Sequence, residues 1–583
     1  MENNPIIEIK DLSFTYQNQK IPVLDGINAC FYPGTISIIC GPTGSGKTTL
    51  IRLLNGLIPH FYEGTMTGEV IVDGINTMST STAKLAQVVG MVFQNPDNQL
   101  VASSCEREIA FGPENLGLPR PEIKERVEFV MQLLKLHDIK DSSPNELSGG
   151  QKQKVAIASA LALRPKILVF DEPTSNLDPE TTGKLVEIIG LIREQLNTTI
   201  IIVEHHLEPF LAIATHVMCM NDGRIVLHDE TDRVIKEDAF YELGVQVPVI
   251  LKIFNRLIKD RVYEGPMSPD MDHGMEILRN LVSSQGPSNQ DTSVSRAGKN
   301  FIGNDDQRTT VLFDTVSFQY PDGPLALKNV YAEIEAGSCV AIIGKNGAGK
   351  TTFVKCINGL IKPTSGKVVV DNVTTKDVSV AQMARKVGLV FQNSDNQLFA
   401  TSVKEELEFS LKNIGIPEGE REQKIDDTLA NLNLVKFKEK SPFLLSGGER
   451  KRVAIASLTC MNQPVFIADE PTQGQDEIQR KNIESILQEM QVNKKTVLII
   501  THDLDFIMHL ATRILIFDEG RILIDGCVDD VFNSQKMLDM ESIPPTQDLA
   551  LKWMLKEKGL ITSLSLDQDA LISTIISSIE ANQ

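Results

Sequence analysis

Gly41–Leu50 reads GPTGSGKTTL and Gly344–Phe353 reads GKNGAGKTTF. Both fit the pattern G-x-x-x-x-G-K-[ST]; each follows an apolar run, TISIIC or SCVAII, and opens a helix-like stretch. A strand, a tight loop and a helix start are predicted, with backbone N–H groups turned inward around phosphate oxygens and a helix dipole favouring the anion. In the first loop Gly41, Pro42, Thr43, Gly44, Ser45 and Gly46 form the cradle; in the second it is Gly344, Lys345, Asn346, Gly347, Ala348 and Gly349. Lys47 and Lys350 are expected to reach the β- and γ-phosphates of ATP. Thr48 and Thr351 are expected to ligate Mg2+, and Thr49 and Thr352 complete the nucleotide site.

Working outward from these loops, the chain is written twice. IIEIKDLSFTYQNQ returns as TVLFDTVSFQYPDG, MVFQNPDNQLVASS as LVFQNSDNQLFATS, NELSGGQKQKVAIA as FLLSGGERKRVAIA, and LVFDEPTSNLD as FIADEPTQGQD. The offset is 303 from Lys47 to Lys350, and 298 from both Gln94 to Gln392 and Asp171 to Asp469. The change falls where IPHFYEGTMTG faces IKPTSG, so a loop insertion accounts for it and two homologous domains are expected. In each half an apolar strand ends in two acids, Asp171–Glu172 and Asp469–Glu470. The first acid lies where open α/β sheets place ligands and suits Mg2+; the second is the candidate to polarise an attacking water.

Leu147–Gln151 (LSGGQ) and Leu445–Glu449 (LSGGE) resemble the signature of the ATP-binding-cassette family, and the signature serine precedes the strand aspartate by 23 residues in both halves. The resemblance implies an α/β fold: two P-loop cassettes in tandem, each a RecA-like core with an antiparallel β subdomain and a helical subdomain. It also implies ATP hydrolysis at two composite sites. Ser148, Gly149, Gly150 and Gln151 would face the ATP on Lys350, and Ser446, Gly447, Gly448 and Glu449 the ATP on Lys47. By the same resemblance Tyr16 and Tyr320 stack on adenine. Gln94 and Gln392 sense Mg2+ and the γ-phosphate, His205 and His502 are the switch histidines, and Ser175–Asp178 and Gln473–Asp476 cross between the sites. The departures are Glu449 for Gln, QGQD for the commoner loop, Glu204 for a Thr before the first switch histidine and His206 for an Asp after it. With both lysines, both pairs of acids and both histidines present, two hydrolytically competent sites are expected.

The stretch QNPDNQLVASSCEREIAFGPENLGLP resembles ATPases of energy-coupling-factor importers, which take up vitamins or transition-metal ions. LLNGLIPHFYEGTMTGEV narrows the likeness to those linked with thiamine-precursor uptake. The implied partners are a transmembrane coupling protein and a small membrane-embedded substrate-binding protein, with this chain peripheral at the cytoplasmic face of the cell membrane. The alternative is a soluble twin-cassette ATPase acting on ribosomes or nucleic acid. A formal net charge of −20 opposes it, because phosphate backbones recruit surplus Lys and Arg.

The expected domains are cassette 1 at 6–246, a helical appendix and flexible linker at 247–308, cassette 2 at 309–543 and a helical tail at 544–583. Ser283–Arg308 is rich in Ser, Asn, Gln, Asp and Gly without apolar periodicity, hence the linker. The eight cysteines show no CxxC spacing, which excludes a zinc site or iron–sulfur cluster and predicts buried, reduced thiols. MENNPIIEIK has neither a charged n-region nor an apolar h-region, so no cleaved signal is expected.

Overall fold

The computed structural model describes residues 4–282, 309–534, 545–561 and 568–580, apart from 18, 176 and 322, together with 537 and 564. The linker expected at Ser283–Arg308 lies outside them. The chain divides into two compact units, with the main boundary between Gly274 and Met275.

The first unit begins with β1 (Ile7–Tyr16), antiparallel to β2 (Leu24–Phe31) and β4 (Gly64–Val72); β5 (Ile75–Asn76) completes a sheet of order β2-β1-β4-β5. Ile7, Ile9, Leu12 and Phe14 are its buried residues, so the apolar period slips by one in mid-strand. Asp11, at φ 44°, absorbs the slip as a bulge and is pinned by two hydrogen bonds with Asn28 (2.9 and 3.0 Å). The bulge keeps one face apolar on both sides of the slip. The second unit repeats the device at Thr315, φ 48°, between buried Phe313 and Val316.

The larger sheet of the first unit has β3 (Ile36–Cys40), β6 (Val89–Val92), β7 (Ile167–Asp171), β8 (Thr199–Val203), β9 (His216–Asn221) and β10 (Arg224–Glu230), in the order β10-β9-β3-β8-β7-β6. Only β10 runs antiparallel. Every residue of β3, β6, β7 and β8 is buried, as expected of parallel strands covered on both faces. With β3 flanked by β8 and β9, the carboxyl ends of β3, β8 and β7 converge on one edge, where such sheets bind ligands.

The second unit has the same topology. β11 (Thr309–Gln319), β12 (Leu325–Glu335), β14 (Ser365–Val370) and β15 (Val373–Thr374) form one sheet. The other is β16 (Val387–Val390), β17 (Val465–Asp469), β18 (Thr496–Ile500), β13 (Cys339–Gly344), β19 (Arg513–Asp518) and β20 (Arg521–Cys527), in that spatial order. The insertion in the first half leads into β4, nine residues against six in β14, and leaves Phe61 exposed. Helices Cys105–Asn115, Arg120–Leu134 and Gly149–Ala162 form the helical layer of the first unit, matched by Val403–Ile414, Glu418–Asn431 and Gly447–Thr459.

The appendix expected after the first cassette contains helix Val249–Lys259, and the tail contains helices Gln547–Glu557 and Gln568–Glu580. All eight cysteines are free, and six are buried. Two depart from the expectation: Cys30 is half-buried and Cys527, ending edge strand β20, is exposed, because each points away from the core face of its strand.

Candidate functional site

Both phosphate loops adopt the shape their sequence predicts. Gly41 and Gly344 have φ 147°, and a Cβ at either would collide with the carbonyl of Met220 or Phe517 on the adjacent strand. Gly46 (φ 99°) and Gly349 (φ 103°) leave room for the carbonyls of Val23, 2.8 Å from a would-be Cβ, and Ala326, 2.6 Å. Only glycine satisfies both the dihedral and the space. The buried Lys47 ammonium donates to the carbonyls of Gly41 (2.8 Å) and Pro42 (2.9 Å), and Lys350 to those of Gly344 (2.5 Å) and Lys345 (2.9 Å). Burial lowers the pKa of Lys47, while the Glu172 charge acts to raise it. Ser45 Oγ is buried without a partner among the described residues, as a group waiting for a ligand oxygen would be.

The residues proposed for Mg2+ meet at the strand ends. Thr48 Oγ1 lies 3.4 Å from Asp171 Oδ1, and Thr351 Oγ1 3.4 Å from Asp469 Oδ2. A hydroxyl beside a carboxylate is a hard oxygen pair that suits Mg2+. Among the described residues no cluster of three or more His, Cys, Asp or Glu could hold a metal. Burial, reinforced by adjacent Glu172, raises the Asp171 pKa to about 6, and burial likewise raises that of Asp469.

The next residue in each half is conformationally unusual. Glu172 has φ 47° and Glu470 φ 48°, left-handed values that an L side chain adopts at a cost. Their amides donate to Val203 (2.9 Å) and Ile500 (2.8 Å), which fixes the turn after the strand. Glu172 Oε1 lies 2.9 Å from His205 Nε2, and Gln94 Nε2 donates to Glu172 Oε2 at 2.6 Å. Burial alone would raise the Glu172 pKa; His205 and the Lys47 charge outweigh it and hold the carboxyl below its ordinary value. Glu470 is 3.3 Å from His502 Nε2 and accepts from the His502 amide at 3.4 Å. Burial and the Asp469 charge push the Glu470 pKa up.

The two glutamines differ in partner. Gln392 Nε2 donates to Gln473 Oε1 at 3.1 Å. The QGQD departure supplies that partner, since the first half has Ser175 at the matching position. Tyr16 and Tyr320 each place the hydroxyl beside the second threonine of the loop, 3.1 Å from Thr49 Oγ1 and 3.3 Å from Thr352 Oγ1. Ser148 and Ser446 cap the signature helices in full capping boxes. Gln151 Oε1 accepts from the Ser148 amide at 3.0 Å, and Glu449 Oε2 from the Ser446 amide at 2.9 Å. A capping box takes Glu or Gln equally, which explains why the second signature tolerates glutamate.

The family profile described as "ABC transporter" matches residues 24–175 and 327–473, together just over half of the chain. A candidate ABC transporter ATP-binding protein of Methanosarcina mazei is 33% identical over 566 residues, covering 96% of this chain and 95% of its own. Another, from Caldanaerobacter subterraneus subsp. tengcongensis, is 35% identical and covers 93% of this chain and 95% of its own. The chain belongs to the ABC transporter family. A solved structure of cbiO1 from Clostridium perfringens, described as part of the ABC transporter complex cbiONQ, is 32% identical, covers 43% of this chain and 97% of its own, and has a TM-score of 0.38.

As an ABC protein the chain is an ATPase with a nucleotide-binding cassette in each half. Three elements of its sites escape motif reading. Glu108 is buried on helix Cys105–Asn115, and its Oε2 accepts the amides of Val101 (2.8 Å) and Ala102 (2.6 Å). Glu406 does the same for Phe399 (3.0 Å) and Ala400 (2.9 Å). Their only sequence signal is the shared register of CEREIAF and VKEELEF. Lys451, on the signature helix, donates to the carbonyls of Phe391 (3.1 Å) and Gln392 (2.8 Å), where the first cassette has Gln153. The third is Glu204, noticed in the sequence only as a departure from the family pattern.

Proposed function

We propose that this ABC ATPase is the energy-coupling subunit of a membrane importer of the energy-coupling-factor type, carrying a vitamin or transition-metal ion and most similar to those for thiamine precursors. Its domains are cassette 1 at 6–246, an appendix and linker at 247–308, cassette 2 at 309–543 and a tail at 544–583. The observation that carries the reading is a pair of exposed apolar residues, 7 and 17 positions after each glutamine. Val101 and Phe111 are 70% and 48% exposed in the first cassette, Phe399 and Phe409 57% and 46% in the second. The second pair meets edge-to-face at 4.7 Å. Large apolar side chains held outward by a buried glutamate favour a protein partner. Gln94, bonded to Glu172, links the first pair to the hydrolytic centre.

In this reading the partners are a transmembrane coupling protein and a small substrate-binding membrane protein. Among the described residues no helix is long and apolar enough to cross a membrane, so spanning segments would come from those partners. ATP binding draws the cassettes together because each γ-phosphate is shared between one cassette's loop and the other's signature, Lys47 with Ser446 and Lys350 with Ser148. That differential affinity shifts the population to the closed state, and hydrolysis releases it. Thr48, Asp171 and Gln94, or Thr351, Asp469 and Gln392, would hold Mg2+, which would supply charge neutralisation for the developing phosphate charge. Glu172 and Glu470 orient the attacking water, and His205 and His502 contact the γ-phosphate. Purification of the full chain from detergent-solubilised native membranes is expected to bring integral membrane proteins with it. Phe111→Asp and Phe409→Asp should weaken that association and leave ATPase activity intact. Recovery with ribosomal particles instead would refute the proposal.

A further inference from the structure

The two switch histidines are fixed by different chemistry. In the first cassette Glu204 is 3% exposed, and both its carboxylate oxygens are engaged. Oε1 accepts the Thr174 amide at 3.1 Å and the Thr174 hydroxyl; Oε2 accepts the amides of His205 at 2.8 Å and His206 at 3.3 Å. Thr174 lies two residues after Glu172, on the loop leaving β7. One buried side chain therefore ties the loop carrying the water-orienting candidate to the loop carrying its histidine.

The second cassette has Thr501 at the position of Glu204 and Asp503 at that of His206. The Thr501 hydroxyl accepts a local bond from the Asp503 amide at 3.0 Å and is hydrogen-bonded to the Glu470 carboxylate, a single hydroxyl where the first cassette has a carboxylate with four donors. The further tie comes from Arg480, on helix Glu477–Val492, which grips Asp503 through Nε (2.9 Å) and a terminal nitrogen (3.0 Å). The first cassette has Thr182 where Arg480 stands, 298 residues earlier, so it lacks both halves of that ion pair. The carboxylate is present where the ion pair is absent, and absent where it is present.

We infer that Glu204 is a positioning residue for ATP hydrolysis in the first cassette, holding His205 against Glu172, and that the Arg480–Asp503 pair does this work for His502 in the second. A buried carboxylate with four donors fixes geometry because loss of it strands each donor in the interior. Both its oxygens are taken by protein donors, so it is expected to act on turnover rather than affinity. The two ties also differ in kind: Glu204 anchors to the neighbouring catalytic loop, Arg480 to a helix. The inference rests on the role proposed for His205.

The test is steady-state ATPase kinetics of the full chain, with thermal unfolding of each variant. Glu204→Thr is expected to lower kcat about twofold or more with little change in KM, and Glu204→Gln, which keeps one acceptor oxygen, less so. Thr182→Arg/Glu204→Thr/His206→Asp, which installs the second cassette's tie in the first, should restore kcat. His205→Ala is the reference. If His205→Ala lowers kcat and Glu204→Thr does not, the inference falls while the site reading stands; if His205→Ala is also silent, the site reading falls with it. A loss of kcat that follows a loss of thermal stability, and that the triple variant does not restore, would make Glu204 merely structural and overturn the inference.

Discussion

At the scale of single residues, repeated motifs and their departures carry different information. Both loop lysines and threonines open the helix after the phosphate loop, and both aspartate–glutamate pairs and both histidines stand at or just after strand ends that the sheet fixes. The departures needed the structure. Glu449 looks like a loss of signature chemistry, but it closes a capping box as Gln151 does. Glu449→Gln should therefore leave urea-denaturation stability of the full chain nearly unchanged, whereas Glu449→Ala should cost about 1 kcal/mol through the lost cap. Gln473 looks like a neutral loop change, yet it takes the hydrogen bond of Gln392, whereas Gln94 bonds Glu172. Whether that diverted bond matters is measurable: Gln473→Ser should free Gln392 and change kcat, while the reverse change, Ser175→Gln, should lower it by drawing Gln94 off Glu172.

At the scale of elements, the helix that follows the phosphate loop is anchored differently in each half. Phe353 stacks on Phe313 at 4.0 Å between centroids and tilts against Phe517 at 5.1 Å, all three fully or almost fully buried. Phe353→Ala should destabilise the second unit by about 3–5 kcal/mol, visible as a lowered unfolding midpoint that leaves the first unit's transition in place. The C-terminal helix Gln547–Glu557 brings a titratable contact. Asp505 accepts from the Thr546 hydroxyl at 2.5 Å and faces Asp548 from that helix and Asp503 from its own loop, with Arg480 opposing them. Burial, then the two carboxylates, raise its pKa from 3.8 to about 7. The folded state therefore favours the protonated acid, and this contribution is lost as pH rises from about 4 to 7. Asp505→Asn should flatten the thermal-stability profile over that window and melt higher than the parent at pH 8.

Element types were legible because short apolar runs flanked by turn signals mark buried parallel strands, as in Ile167–Phe170. The bulges at Asp11 and Thr315 show as one-residue slips in an otherwise alternating pattern. Glu204, Glu108 and Lys451 were not legible as site residues, since their roles depend on backbone groups brought close only by the fold. A buried carboxylate looks like any surface acid until its donors are known.

At the scale of the whole molecule, one chain carries two nucleotide cassettes of equal topology and unequal detail, and the catalytic assignment is the claim on which the rest depends. ATP turnover of the full chain, with Mg2+ and with the metal chelated, measured for Glu172→Gln, Glu470→Gln and the double variant, tests it most directly. Each single change should lower kcat, the double variant should be inactive, and chelation should abolish turnover in every case. Turnover that survives in the double variant, or that one single change removes entirely while the other leaves it untouched, would contradict two hydrolytic centres.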